Sequence, residues 1–233
     1  MVGERRVITM LFCDVKGSTA AAEKVDPETW TDIMNGVFEY MIRPIYKYEG
    51  LVPRLMGDAI LAFFGAPITH EDDPQRAVLA GLEIQEGIKP YAEEIRRKHG
   101  LEFGLRVGIN TGLVVVGEIG SDLRMEYTAI GDAINLAARM EQTAAVGTIQ
   151  ISDIVLGRPI KETSRENPQL WAECIVGAVM QDDYLQMFRD AGFRNVTPLS
   201  TLDYFAKSAE ADTREVAASY GARTLIFTGS RPG

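Results

Sequence analysis

Two short apolar runs, LVPRLM (51–56) and AILAFF (59–64), stand with only Gly57-Asp58 between them, and a long helical pattern lies on each side. A Gly-Asp pair between β-prone runs reads as a tight hairpin, because glycine reaches the positive φ of such turns and aspartate suits their polar tips. A hairpin between helices breaks the strand–helix alternation of a doubly wound parallel sheet. It points instead to an α+β sandwich, with Asp58 exposed on a rigid corner.

The flanking segments agree. Residues 6 to 13 form an apolar, β-branched run that ends at Asp14, and Gly17-Ser18-Thr19 then opens a helical stretch to about Gly50. Within it Trp30, Ile33, Met34, Val37, Phe38, Met41 and Ile42 recur at three- and four-residue steps and mark a buried face. Beyond the hairpin, Asp73 reads as an N-cap with Pro74 at the first helical position. That helix continues to about Lys98 with Ile84, Ile88, Tyr91 and Ile95 along one side, and Pro90 is expected to kink or split it. FGLRVGINTGLVVVGEIG (103–120) reads as two strands turning at Asn110-Thr111-Gly112, and AINLAARMEQTAA (133–145) as a helix. The order is therefore β-α-β-β-α-β-β-α.

With 233 residues, 46% of them hydrophobic and 24% charged, the chain has the material for one or two cores. A formal charge of -9 argues against nucleic acid or an anionic membrane as partner, although Arg5, Arg6, Arg96, Arg97 and Lys98 offer local phosphate contacts. It favours an anionic substrate shielded by metal. Cys13 and Cys174 are far apart, which implies no disulfide framework and fits a reducing cytosol. The apolar run near the N-terminus is too short for a signal sequence, and no stretch approaches the roughly 20 apolar residues of a membrane span. A cytoplasmic, soluble protein is expected.

The chemistry lies in a combination. Aspartate after a strand, Gly-Asp in a turn and arginine on a surface helix are each ordinary. Together, Asp14 and Asp58 on neighbouring strands suit two Mg²⁺ or Mn²⁺ ions, hard cations that take oxygen ligands and share them with phosphates. The turn Lys16-Gly17-Ser18-Thr19 lies between Asp14 and a helix start, where backbone N–H groups can hold a triphosphate. Asn135 and Arg139 are spaced i, i+4 on one helix face. An amide there can position a ribose oxygen, and a guanidinium can stabilise charge on a five-coordinate phosphorus.

The blocks RRVITMLFCDVKGST, YEGLVPRLMGDAILAFFGAP and LRVGINTGLVVVGEIGSDLRMEYTAIGDAINLAARMEQ resemble, in order, the catalytic domain of class III adenylyl and guanylyl cyclases over residues 5 to about 150. That resemblance implies a ferredoxin-like βαββαβ sandwich. It implies Asp14, Asp58 and the Val15 carbonyl as metal ligands, Arg106 as a triphosphate contact, Thr128 as a base reader, and Asn135 and Arg139 as transition-state stabilisers. Arg54, a bulkier planar donor, departs from the family by standing where many members have a base-reading lysine; Thr128 is similar to an ATP-using subgroup, and on that ground ATP is preferred over GTP. The resemblance also implies a head-to-tail homodimer in which one subunit supplies the metal aspartates and the other the base reader, Asn135 and Arg139. The expected activity is conversion of ATP to 3′,5′-cyclic AMP and pyrophosphate, in signalling.

From GTIQISD (147–153) the chain changes character, and the reading divides it into a cyclase domain, 1–152, and an α/β tail, 153–233. ENPQLWAECIVGAVMQDDYLQMFRDAGF reads as two amphipathic helices, and NVTPLS and ARTLIFTG as strands. The tail resembles the C-terminal part of arsenite-type S-adenosylmethionine-dependent methyltransferases, which implies an arsenic-binding thiolate at Cys174; a small buried cysteine is the plainer reading. No Gly-rich cofactor cradle accompanies it. The strand pair that closes the cyclase family's domain, with its triphosphate-binding lysine, is expected to be missing. A nucleotide-binding dimerisation module without turnover, or a methyltransferase fragment, are the alternative readings.

Overall fold

The computed structural model describes residues 4–121, 124–162, 175, 178–190, 192–203, 205–207 and 211–230. Its strands are β1 (Glu4–Lys16), β2 (Leu51–Met56), β3 (Ala59–Phe64), β4 (Gly104–Ser121), β5 (Arg124–Ile130), β6 (Ile149–Leu156), β7 (Val179–Met180), β8 (Arg194–Leu202) and β9 (Arg223–Ser230). Its helices are α1 (Ser18–Ala22), α2 (Pro27–Lys47), α3 (Asp73–His99), α4 (Asp132–Thr143), α5 (Gln181–Asp190) and α6 (Ala211–Tyr220), with a 3₁₀ turn at Phe205–Lys207. One mixed sheet runs β2-β3-β1-β4-β6-β9-β8, with β5 paired to β4 and β7 to β6. The α+β class follows from that sheet and its helices.

β1 shows why the sheet is covered on both faces. Leu11, Cys13 and Val15 point into a core shared with Ile33, Val37 and Met41 of α2 and Ile84 and Ile88 of α3. The alternate residues Ile8, Met10 and Phe12 join Val114 and Val116 of β4 and Ala133 and Ala137 of α4. The period of two along an extended strand thus feeds two apolar layers.

The GTIQISD segment becomes β6, parallel to β4 from Val107↔Ile149 to Asn110↔Ser152. On its other side β9 pairs antiparallel from Ile149↔Gly229 to Val155↔Arg223, and β8 pairs with β9. The strands expected at NVTPLS and ARTLIFTG are present, and they extend the same sheet. Phe188 of α5 lies 4.7 Å from Phe227 of β9, ring centre to ring centre, and Phe227 and Leu225 belong to the core that holds α2 and α3. A smaller cluster of Ile154, Leu156, Phe205, Ala217 and Tyr220 forms beneath α6.

Several expectations are corrected. The turn expected at Asn110-Thr111-Gly112 is the middle of β4, one continuous strand of 18 residues, and the strand after it is Arg124–Ile130. Asn110 is consumed there by tertiary bonds: its amide donates to the Ala133 carbonyl at 2.9 Å and accepts from the Ser152 hydroxyl at 3.1 Å. The single helix expected from residue 17 to 50 is two, because Asp26 caps a new start, accepting from the Thr29 N–H at 2.9 Å with Pro27 in the first turn. α3 begins one residue early, with Asp72 at the N-cap position, and runs unbroken through Pro90. Asp73 instead accepts from the His70 N–H at 2.8 Å. The first of the two amphipathic helices expected in the tail falls largely outside the described residues, whereas α6 was not anticipated.

Candidate functional site

The strand register builds one end of the site. Asp14 lies opposite Ala59 of β3, which brings the hairpin tip, with Gly57 at φ +66° and Asp58 next to it, beside the end of β1. On the other edge of β1 the partner of Asp14 is Arg106 of β4. Gly17 takes φ +93° and turns the chain into α1, so that the buried Ser18 hydroxyl donates to the Asp58 carboxylate. Lys16 and Thr19 are exposed beside it, while the Val15 side chain is buried at 2% exposure.

Arg106 is the hub. Its Nε donates to Asp14 Oδ1 at 3.0 Å and its Nη2 to Oδ2 at 2.5 Å, a two-pronged pairing, while Nη1 donates to the Gln142 carbonyl at 3.0 Å. Glu141 Oε1 sits 2.8 Å from the same Nη2. That contact is an ion pair without hydrogen-bond alignment, so Oε1 is buried with no hydrogen bond of its own. Burial, then the adjoining Asp14 carboxylate, push the Glu141 carboxyl up to about 7, with Arg106 pulling the other way. The bond to Asp14 holds the Arg106 guanidinium above its ordinary value. Cys13, next in line on β1, is buried and its thiol is pushed well up by desolvation and by Asp14.

Glu141 is the residue that sequence reasoning missed. It ends the AINLAARME block, but its partners come from distant strands. The other expected residues are distributed. Asn135 and Arg139 are both exposed on α4. Arg54 is exposed on β2, opposite Leu61, and Thr128 lies on β5, opposite Gly117; β2 and β5 touch. Cys174 lies outside the described residues. Of the basic residues that offered local phosphate contacts, Arg96 and Lys98 pair with Glu93 and Glu94, and Arg6 with Glu4. Among the described residues no three His, Cys, Asp or Glu side chains form a ready-made ion cage. The donor set at Asp14 and Asp58 is nonetheless all oxygen, carries a double negative charge and adjoins the unbonded Glu141 oxygen, which fits a hard divalent cation.

With that geometry defined, comparison places the chain. The profile of the adenylate and guanylate cyclase catalytic domain matches residues 2–164. The chain belongs to that family and is a nucleotide cyclase domain. Adenylate cyclase 1 of Rhizobium meliloti (strain 1021) is 29% identical over 167 residues, covering 67% of this chain and 25% of that protein. The chain thus spans about a quarter of the length of this curated relative. The guanylyl cyclase Cya2 superposes with a TM-score of 0.66 at 29% identity, covering 100% of this chain and 96% of that one. The adenylyl cyclase CyaB from P. aeruginosa gives 0.68 at 24% identity, over 100% and 98%, a likeness of fold. The solved cyclases cover the tail as well as the preceding sheet, and none of the relatives named here is a methyltransferase.

Proposed function

We propose that this chain is a metal-dependent cyclase that converts ATP to 3′,5′-cyclic AMP and pyrophosphate at a head-to-tail homodimer interface, in cytoplasmic signalling. The observation that carries the reading is the division of labour between two places: Asp14, Asp58, Ser18 and Arg106 converge at the strand ends, while Asn135 and Arg139 stand exposed on α4. A two-fold axis that joins one copy's strand ends to the other's α4 completes both sites at once.

In this reading Asp14, Asp58 and the Val15 carbonyl hold Mg²⁺ or Mn²⁺, two ions per site. When bound, such ions lower the pKa of the ribose 3′-hydroxyl and neutralise the departing phosphates. The Lys16–Thr19 turn and Arg106 bind the triphosphate. The partner copy reads the base with its Arg54 and Thr128, and its α4 supplies an amide to orient the ribose and a guanidinium to stabilise the five-coordinate phosphorus. The 3′ oxygen attacks the α-phosphate in line, the bond to the β-phosphate oxygen breaks, and pyrophosphate leaves. The similar proteins include both adenylyl and guanylyl cyclases. The preference for ATP rests on Thr128.

The test is complementation. Asp14→Ala and Arg139→Ala chains should each be inactive alone. Mixed, half the dimers are heterodimers with one intact site of two, so about a quarter of the original cyclic AMP formation should return. Folded, mixed dimers that recover nothing defeat the shared site.

A specific observation favours a second reading. The strands β8 and β9 pair beyond β6, and neither contains the lysine that the resemblance leads one to expect in a closing strand pair. A nucleotide-binding dimerisation module would bind Mg·ATP tightly and release no cyclic product. The tail's likeness to methyltransferases is carried by sequence alone, and binding of S-adenosylmethionine by the whole chain is the measurement on which it stands. No helix among the described residues is long and apolar enough to cross a membrane.

A further inference from the structure

Helix α4 is fastened to β4 along its length, and it reaches Arg106 at its end. Gly112 faces Ala133, where an added Cβ would lie 2.7 Å from the alanine methyl. Gly108 faces the next turns, where an added Cβ would lie 2.5 Å from the Ala137 carbonyl and 2.1 Å from the Glu141 nitrogen. Asn110 between them bonds to the Ala133 carbonyl. Residues 106, 108, 110 and 112 share one face of the strand, so the following position in this row, Arg106, meets the last turn of the helix. There Glu141 and the Gln142 carbonyl take up two of its nitrogens.

We propose that Glu141 is a positioning residue that, together with the Gln142 carbonyl, holds Arg106 in this chain's own site, so that α4 serves two sites at once. The inference rests on the shared-site reading for the second half of that statement. The reason lies in what Arg106 keeps when its other partner is engaged. Asp14 grips the guanidinium with both oxygens. If Asp14 were to hold a metal ion with one oxygen, that grip would weaken, and the anchors left would be the two on α4. A long, flexible arginine side chain would otherwise regain its rotamer freedom at the moment it has to meet phosphate. Glu141, 7% exposed and 2.8 Å from Nη2, is a rigidly held partner that points the guanidinium towards the strand ends. The opposite face of the same helix carries Asn135 and Arg139, so nucleotide held by the partner copy presses on the element that sets Arg106 here.

Binding of α,β-methylene-ATP, which the cyclase reaction cannot consume, separates this role from turnover. Glu141→Gln, close in shape, should weaken binding about tenfold, and Glu141→Asp should recover part of it. In an Arg106→Gln background the same Glu141→Gln change should cost under about twofold, because the residue acts through Arg106. Equal losses in both backgrounds, with unaltered melting, overturn the proposal. In mixed dimers of Asp14→Ala and Arg139→Ala chains, Glu141→Gln should raise the nucleotide KM several-fold more when placed on the Arg139→Ala chain, whose Arg106 serves the surviving site. The reverse pattern also overturns it. Failure of the parent mixture to make product, with the binding cycle intact, strikes the shared-site reading and leaves the positioning role standing.

Discussion

The two ends of the sheet hold their buried polar groups in opposite ways. At the tips of β1, β3 and β4, three carboxylates and one guanidinium crowd together, with the Arg106 and Asp14 side chains 15% and 18% exposed. At the far end, α5 lies on β6 and β9 through a set of edge-packed rings, Tyr184, Phe188, Phe193 and Phe227, with the Asp153 carboxylate bonded to Tyr184 beneath. Like charges at close range raise one another's free energy, and a neighbouring cation or proton relieves it. Edge-to-face rings have no such tension. The charged end is built to exchange partners, and the aromatic end to keep them.

The comparison is broken most sharply at its charged end. Arg139→Ala should lower cyclic nucleotide turnover about 10³-fold, equivalent to about 4 kcal/mol of transition-state stabilisation. Because Arg139 is exposed, the melting temperature should stay within a few degrees. A loss of turnover matched by a loss of stability would make Arg139 a structural residue. Phe227→Ala should do the reverse, costing about 3 kcal/mol of stability because the ring is fully buried against Phe188 and Tyr184. Amide exchange should accelerate in β1 as well as β9, since β9, β6 and β4 are joined rung to rung. Exchange confined to residues after 153 would establish the tail as a cooperative unit of its own.

Between the two ends lies Gly108, where β4 and the backbone of α4 touch. A methyl there meets backbone atoms at 2.1 and 2.5 Å, which no rotamer change relieves. Gly108→Ala should cost about 2 kcal/mol and also weaken nucleotide binding, because Glu141 and Gln142 move away from Arg106. Lost stability with unchanged binding would uncouple α4 from the charged cluster.

Gly108 also marks where the sequence stops being legible. The hairpin could be read because Gly57-Asp58 is a local signal, and the period-two alternation of β1 and the helical faces of α2 and α3 are local too. Asn110 and Gly112 carry the local chemistry of a turn, and that chemistry predicts one. Their real use is close approach and bonding to Ala133, which depends on a helix some twenty residues later. Asp14, Asp58, Asn135 and Arg139 could be chosen because they form a constellation in order along the chain. Glu141 could not, since nothing near it in sequence distinguishes a solvent-facing glutamate from one that meets Arg106 and Asp14. In the tail, the strands β8 and β9 were visible as apolar runs, but their addition to β6 depends on pairing that composition does not encode.

The smallest effect belongs to Asp153. It accepts from the Tyr184 hydroxyl and from the Ile154 N–H, both at 2.7 Å, and part of its surface still reaches solvent. Burial raises its carboxyl above the ordinary value, and the two hydrogen bonds oppose the rise without cancelling it. Tyr184, for its part, is pushed well up by burial and then by the carboxylate, so its hydroxyl stays a donor. For a carboxyl raised in the folded state, the linked stabilisation is full below the unfolded pKa and is lost as pH rises through the folded one. Asparagine keeps an acceptor for Tyr184 and does not titrate. Asp153→Asn should therefore raise the melting temperature slightly at neutral pH, by no more than about 1 kcal/mol of stability. That advantage should shrink as the pH falls towards the ordinary carboxylate range. An advantage that instead grows in acid would mean the two hydrogen bonds outweigh burial, and the contrast between the two ends would fail at Asp153.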